Sequence, residues 1–113
     1  MTVEPLGPDD IISDAEQRFL DNVDKMVAAV NAQLEPRLRH GLGQEYSISV
    51  ILSAELRDIV TQCPRVRDET IKRFEGKRWV IDMRSVYQWE FHRLGSSEAA
   101  RLLTKRSNKS LYA

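Results

Sequence analysis

A single cysteine, Cys63, occurs in 113 residues, which excludes a disulfide framework within one chain and argues against a thiolate zinc centre. Its place before Pro64, at the end of an apolar face, suits a buried small hydrophobe better than a nucleophile. Long apolar runs are missing too: none approaches the ~20 residues that span a bilayer. The opening MTVEPLGPDD has no basic segment leading into a hydrophobic one, so no secretory signal is expected and the cytoplasm is the expected setting. Glycine is scarce, and no GxGxxG, GxxxxGK[ST] or GxSxG motif occurs, which removes phosphate-cradling loops and the nucleophile elbow. Gly41-Leu42-Gly43 reads as a plain loop. The two histidines, His40 and His92, have no HxxxH spacing, so no metal or other cofactor is expected.

What is present fits a compact chain. Charged residues make up 30% and apolar ones 42%, a balance that suits a packed core better than disorder. The length is that of about one domain, typically ~100–150 residues. Residues 1–113 are therefore read as a single α+β domain, with an irregular lead-in over 1–10 and a basic, polar tail over 105–113. The formal net charge is zero, yet it is unevenly divided. Residues 1–56 carry ten acidic and four basic side chains, a charge of −6, and residues 57–113 carry seven and thirteen, a charge of +6. Three arrangements fit: the halves neutralise each other on folding, copies associate head to tail, or the basic half meets a polyanion.

Periodicity supplies the elements. Ser13 and Glu16 have the spacing of a capping box. Phe19, Leu20, Val23, Met26, Val27, Val30 and Leu34 then recur at threes and fours, the stripe of a long amphipathic helix. Pro36 disfavours helical geometry at Glu35, while Leu38 continues the stripe, so a kink or a second short helix to His40 is expected before Gly41 stops it. Tyr46, Ile48, Val50 and Leu52 alternate with Ser47 and Ser49 as in a half-buried strand. Ser53 is placed to cap a helix with Leu56, Ile59, Val60 and Cys63 inward. After Pro64 a second helical segment, about 66–75, turns Ile71 and Phe74 inward and ends near Gly76. Ser96 or Ser97 can cap a last helix with Ala99, Ala100, Leu102 and Leu103.

The stretch KRWVIDMRSVYQWEF, residues 77–91, holds both tryptophans and no glycine or proline. Its odd positions from Trp79 to Phe91 are large and apolar except Ser85, and its even positions include Asp82, Arg84, Gln88, Glu90 and, just beyond, His92. One straight strand of that length would reach roughly 50 Å, whereas a chain of this size has a radius of gyration of only ~13 Å. A hairpin is the favoured solution. A three-residue loop over 84–86 would pair Met83 with Tyr87, Ile81 with Trp89 and Trp79 with Phe91, keeping the bulky groups on one face. Arg-Ser-Val, however, offers no residue suited to positive φ. A five-residue loop or a bulged single strand remains open.

The expected fold is thus a long N-terminal helix packed on a small, mainly antiparallel sheet with two further helical regions, in the order α-β-α-α-β-β-α. From Tyr46 onward the order is similar to that of KH-type RNA-binding domains, but their GxxG loop is replaced here by CPRVRD. No family is assigned on that likeness.

No catalytic residue is expected. The favoured function is a small, non-enzymatic, intracellular protein that binds another protein or itself, with Trp79, Tyr87, Trp89 and Phe91 as candidate interface groups. Its size would suit a viral or mobile-element accessory protein. The alternative is a nucleic-acid-binding module using Arg65, Arg67, Lys72, Arg73, Lys77 and Arg78 together with the C-terminal tail. A third reading, a metal-dependent hydrolase, would draw on Asp58, Asp82, Glu90 and His92. The simpler account of those four is a solvent-facing polar surface.

Overall fold

A computed structural model of the chain describes residues 3–41 and 47–111, with side chains described as far as residue 106. The elements run α1 (Asp14–Arg39), β1 (Ser47–Ile51), α2 (Ala54–Gln62), α3 (Pro64–Glu75), β2 (Trp79–Met83), β3 (Gln88–Arg93) and α4 (Ser97–Leu111). This is the expected order. The three strands form one antiparallel sheet, β1-β3-β2. Tyr46, Tyr112 and the side chain of Leu111 lie outside the described residues. Helix α4 continues to Leu111 and so occupies most of the stretch read as a polar tail.

Helix α1 begins at Ser13, whose hydroxyl accepts the Glu16 N–H at 3.1 Å. The box is only half made, because the Glu16 carboxylate turns outward to Arg65 at 3.2 Å. Pro36 does not divide the helix. It sits in the last turn, where a missing N–H removes a single bond, and the chain runs on helically to Arg39. Gly41, at φ 80°, then takes the left-handed turn that other residues resist. The inward stripe ends earlier than its periodicity suggests: Leu34 is buried, whereas Leu38 is exposed. No described residue covers it fully.

Helix α2 is capped by Ser53, whose Oγ accepts the Leu56 N–H. Pro64 serves as the first residue of α3, where the absent donor costs nothing and the fixed φ helps. Val66, Thr70 and Phe74 form the buried face of α3, and Thr70 satisfies its hydroxyl on the Val66 carbonyl at 2.7 Å. The helix ends at Gly76 as expected, but Gly76 stays right-handed at φ −65°. The left-handed residue is Arg78, at φ 72°, a sparsely populated region for a side chain with a Cβ. It swings the backbone from α3 into β2.

The segment from 77 onward does fold as a hairpin, with its register displaced from the expected one. Met83 pairs with Trp89, Ile81 with Phe91 and Trp79 with Arg93, so the loop spans the five residues 84–88. The longer loop needs no positive φ, and Ser85 closes it, its Oγ accepting the Gln88 N–H at 3.1 Å while its own N–H bonds the Gln88 carbonyl. A shift of two residues preserves parity, so the bulky groups still share a face.

That face meets the core. Ile48 and Val50 of β1, Ile81 of β2 and Trp89 and Phe91 of β3 pack with Val23, Met26, Val30 and Leu34 of α1 and with Val66 and Phe74 of α3. Phe74 and Trp79 both meet the Phe91 ring edge-on, at 5.4 and 5.8 Å. The opposite face is not left to solvent, as the polar pattern suggests. Helix α4 packs on β2 and β3 there, burying Val80, His92, Ser96 and Ala99.

Both sheet edges are engaged by side chains from distant elements. The Gln33 amide of α1 donates to the Ile51 carbonyl at 2.7 Å and accepts the Ile51 N–H at 2.9 Å, imitating a neighbouring strand beside β1. Arg106 of α4 donates to the Ile81 carbonyl beside β2. Such fittings blunt an edge that would otherwise template pairing.

Replacing the fully buried Met26 by alanine is expected to cost about 2–5 kcal/mol. Gln33→Ala is expected to cost about 1 kcal/mol, since Ile51 is exposed and water can replace the lost bonds. Urea unfolding of the two variants checks both.

Candidate functional site

The division of charge is met in part inside the chain, where two pairs join the halves: Arg65 and Arg73 of α3 with Glu16 and Asp24 of α1, at 3.2 and 3.3 Å. Within the acidic half, Lys25 of α1 reaches Glu55 of α2 at 3.4 Å. Arg65 also lies over the Phe19 ring, 3.9 Å from its centroid. Arg67 pairs with its neighbour Asp68. Half of the candidate nucleic-acid residues are thus occupied by carboxylates. Lys72, Lys77 and Arg78 make no ion pair among the described residues.

The four candidate interface aromatics separate into three environments. Trp89 and Phe91 are 0% exposed and offer no surface to a partner. The reason is parity: both point to the face that α1 and α3 cover. Tyr87 sits in the hairpin loop, exposed, with the Arg57 guanidinium 5.3 Å above its ring. Trp79 alone is half-buried with one side open.

Two hollows of about 530 and 560 Å³ border Trp79, and a third of about 370 Å³ lies beside them against Val27 and Phe74; Lys77 borders all three. Their floor is apolar, formed chiefly by Leu38, Phe74, Trp79 and Leu94. Leu38 and Leu94 are among the large hydrophobic side chains left exposed. Lys77, Arg78 and Arg93 stand along the rim. The left-handed turn at Arg78 and the end of β3 at Arg93 bring these cations together, which neither periodicity nor motif signals in the sequence. Here the misjudged Leu38 gains a meaning, as part of an apolar trough with a positive border.

A second constellation lies on the other face of the sheet. Asp82 of β2 is the register partner of Glu90 of β3, and His92 follows Glu90 by two residues, so the three side chains share one face. Their ligand-capable atoms all lie within 4.8 Å of one another. Carboxylates directly opposite across strands repel, and Arg84 offsets this, its Nε 3.2 Å from Asp82 and an Nη 3.2 Å from Glu90. The hydrogen bond to Glu90, and then the charges of Glu90 and Asp82, raise the Arg84 pKa above its ordinary value. His92 is 4% exposed, and its Nε2 has no hydrogen-bond partner. The nearest acid, Glu90 Oε2, is 3.5 Å away, beyond the ~2.7–3.2 Å of an ordinary bond. Asp58 is not part of this group; it lies exposed on α2. Beside the cluster, Asp82 and Arg84 border a hollow of about 880 Å³ against α4, where Arg101 and Lys105 supply further positive charge.

No protein-family model, no curated protein and no solved structure matches this chain. No helix among the described residues is long and apolar enough to cross a membrane.

The two tryptophans should differ in their access to solvent. Acrylamide is expected to quench only the fraction of fluorescence that comes from Trp79. In a Trp79→Phe variant the remaining emission, from Trp89, should be blue-shifted and nearly resistant to quencher.

Proposed function

We propose that this chain is a non-enzymatic protein-binding module that joins copies of itself head to tail, the arm before α1 of one copy lying in the Trp79 groove of the next. The observation that carries this reading is the chemistry at the two ends of α1. At its C-terminal end lies the apolar groove with Lys77, Arg78 and Arg93 on its rim. At its N-terminal end is an arm, residues 3–12, in which Val3, Leu6, Ile11 and Ile12 are exposed between the acids Glu4, Asp9 and Asp10. Four uncovered hydrophobic groups in ten residues are more than scattered surface apolarity, which by itself would mean nothing.

The arm does not lie in its own groove, since its four hydrophobic groups are exposed. Twenty-six residues make α1 about 39 Å long at 1.5 Å per residue, so the far part of the groove, at Leu38, stands at the limit of what ten fully extended residues span, ~36 Å. The turn at Gly7–Asp10, closed by the Asp10 N–H on the Gly7 carbonyl, shortens the arm further. A second copy has no such restriction. Because the clamped edges of the sheet are poor templates for strand pairing, the groove is the better docking surface. The contact is heterologous, so it closes into a ring or extends as a filament according to the rotation between copies. The cytoplasm suits such a protein, since a lone thiol such as Cys63 stays reduced there.

Sedimentation velocity over a range of concentrations tests the reading. Association is expected in low salt and loss of it at about 1 M salt, where charges are screened beyond ~3 Å. Reversing the rim with Lys77→Glu plus Arg93→Glu should give a monomer. Mixing that variant with one carrying Asp9→Lys and Asp10→Lys should restore association. A wild-type chain that stays monomeric in low salt at high concentration overturns the proposal. A labelled oligonucleotide shifted by the wild type and not by the rim variant would assign the same cations to a nucleic acid instead.

A further inference from the structure

We infer that Asp82, Glu90 and His92 form a binding site for a first-row divalent metal ion, with Arg84 standing in it as a displaceable cation. The inference is independent of self-association, because the cluster lies on the sheet face opposite the one that α1 and α3 cover.

Acidic side chains close together are common on protein surfaces and mean little alone. His92 makes the difference. It is 4% exposed, its Nε2 is buried without a hydrogen-bond partner, and that atom faces Glu90 Oε2 at 3.5 Å. Buried polar atoms are nearly always satisfied, so an orphaned imidazole nitrogen facing one carboxylate, in a cluster that holds a second, calls for an explanation. An ion between them provides it, taking the imidazole lone pair and one oxygen from each acid. At bond lengths near 2.0–2.2 Å, the ligand atoms of a tetrahedral ion stand roughly 3.3–3.6 Å apart. The present spread, up to 4.8 Å, needs a contraction of roughly 1.2–1.5 Å at its widest, which side-chain rotation of the two acids supplies. Strand pairing between Asp82 and Glu90 holds the backbone in place for it.

Arg84 is the one obstacle, and its geometry is that of a placeholder. It touches each acid through a single nitrogen at 3.2 Å instead of gripping either with both arms of its fork. It belongs to the hairpin loop, and its side chain is 54% exposed, so it can swing into solvent at little cost. One positive charge then gives way to two, matching the two carboxylates. One imidazole nitrogen with two carboxylate oxygens suits Zn²⁺, and Mn²⁺ more weakly along the Irving–Williams order. Mg²⁺ and Ca²⁺ prefer oxygen ligands alone. The remaining coordination positions would be open to water or to an anion entering beside Asp82, where Arg84, Arg101 and Lys105 border the hollow.

Isothermal titration of the full chain with ZnCl2, MnCl2 or MgCl2 tests this, in a Cys63→Ser, His40→Ala background that removes the other soft ligands. Zn²⁺ is expected to bind at one equivalent, Mn²⁺ more weakly and Mg²⁺ not measurably. Arg84→Ala should tighten Zn²⁺ binding at least ten-fold, whereas Glu90→Gln and Asp82→Asn should weaken it at least ten-fold. His92→Ala risks misfolding because the ring is buried, so His92 is followed in the folded chain by the ¹⁵N shift of its imidazole, which should move on Zn²⁺ addition. Zn²⁺ binding unchanged in Glu90→Gln, weaker in Arg84→Ala, or absent from both the background chain and Arg84→Ala overturns the inference and leaves His92 and Glu90 as an ion pair only.

Discussion

Side chains along a strand point alternately to its two faces, and in this protein both faces of the β2–β3 hairpin have something to meet. Ile81, Trp89 and Phe91 go to the side where α1 and α3 supply Met26, Val30, Val66 and Phe74. Val80, Asp82, Glu90 and His92 go to the side where α4 lies. The parity of these residues therefore sets the hydrophobic core and the polar cluster at once. An even displacement of the register leaves that division unchanged, which is why a loop of five residues serves as well as one of three. An odd displacement would bury Glu90 against Met26 and expose Trp89, and no adjustment of the helices could repair it.

Charge follows a similar logic at longer range. The acids of α1 and the bases of α3 face each other because their hydrophobic stripes bring the two helices together, and Glu16–Arg65 and Asp24–Arg73 are the result. Exposed pairs of this kind add little stability. Their larger effect is on what remains. Among the charges that make no ion pair within the described residues are the acids Glu4, Asp9 and Asp10 on the arm before α1 and the cations Lys77, Arg78 and Arg93. The proposed assembly rests on that residue of charge rather than on the formal difference between the two halves.

The same elements leave two different surfaces at opposite faces of one small sheet. Around Trp79 the packing is incomplete: α1 ends, Arg78 turns the backbone, and Leu38 and Leu94 are left uncovered. Around His92 the packing is nearly complete, yet one buried nitrogen has no partner. An uncovered apolar floor is suited to a large and forgiving contact. An orphaned ring nitrogen beside a carboxylate is suited to a small and exacting one. Gln33 and Arg106, each reaching across to a backbone group of an edge strand, reduce the competing possibility of edge-to-edge pairing.

Patterns with a local cause were readable from the residues alone. The stripe from Phe19 to Leu34, the serine caps at Ser13 and Ser53, the alternation from Ser47 to Leu52 and the two-faced ribbon from Trp79 onward each follow from helix or strand period and from side chains bonding within three or four positions. The even positions of the ribbon could likewise be read as a polar set containing Asp82, Glu90 and His92. Tertiary structure alone decided which residues pair across the hairpin, that α4 covers the polar face, that Leu38 is left exposed, and that Lys77, Arg78 and Arg93 converge. Each of these depends on which surfaces meet after the chain has closed on itself. Gln33 reaches Ile51 across eighteen positions and Arg106 reaches Ile81 across twenty-five, separations over which neither period nor capping carries information.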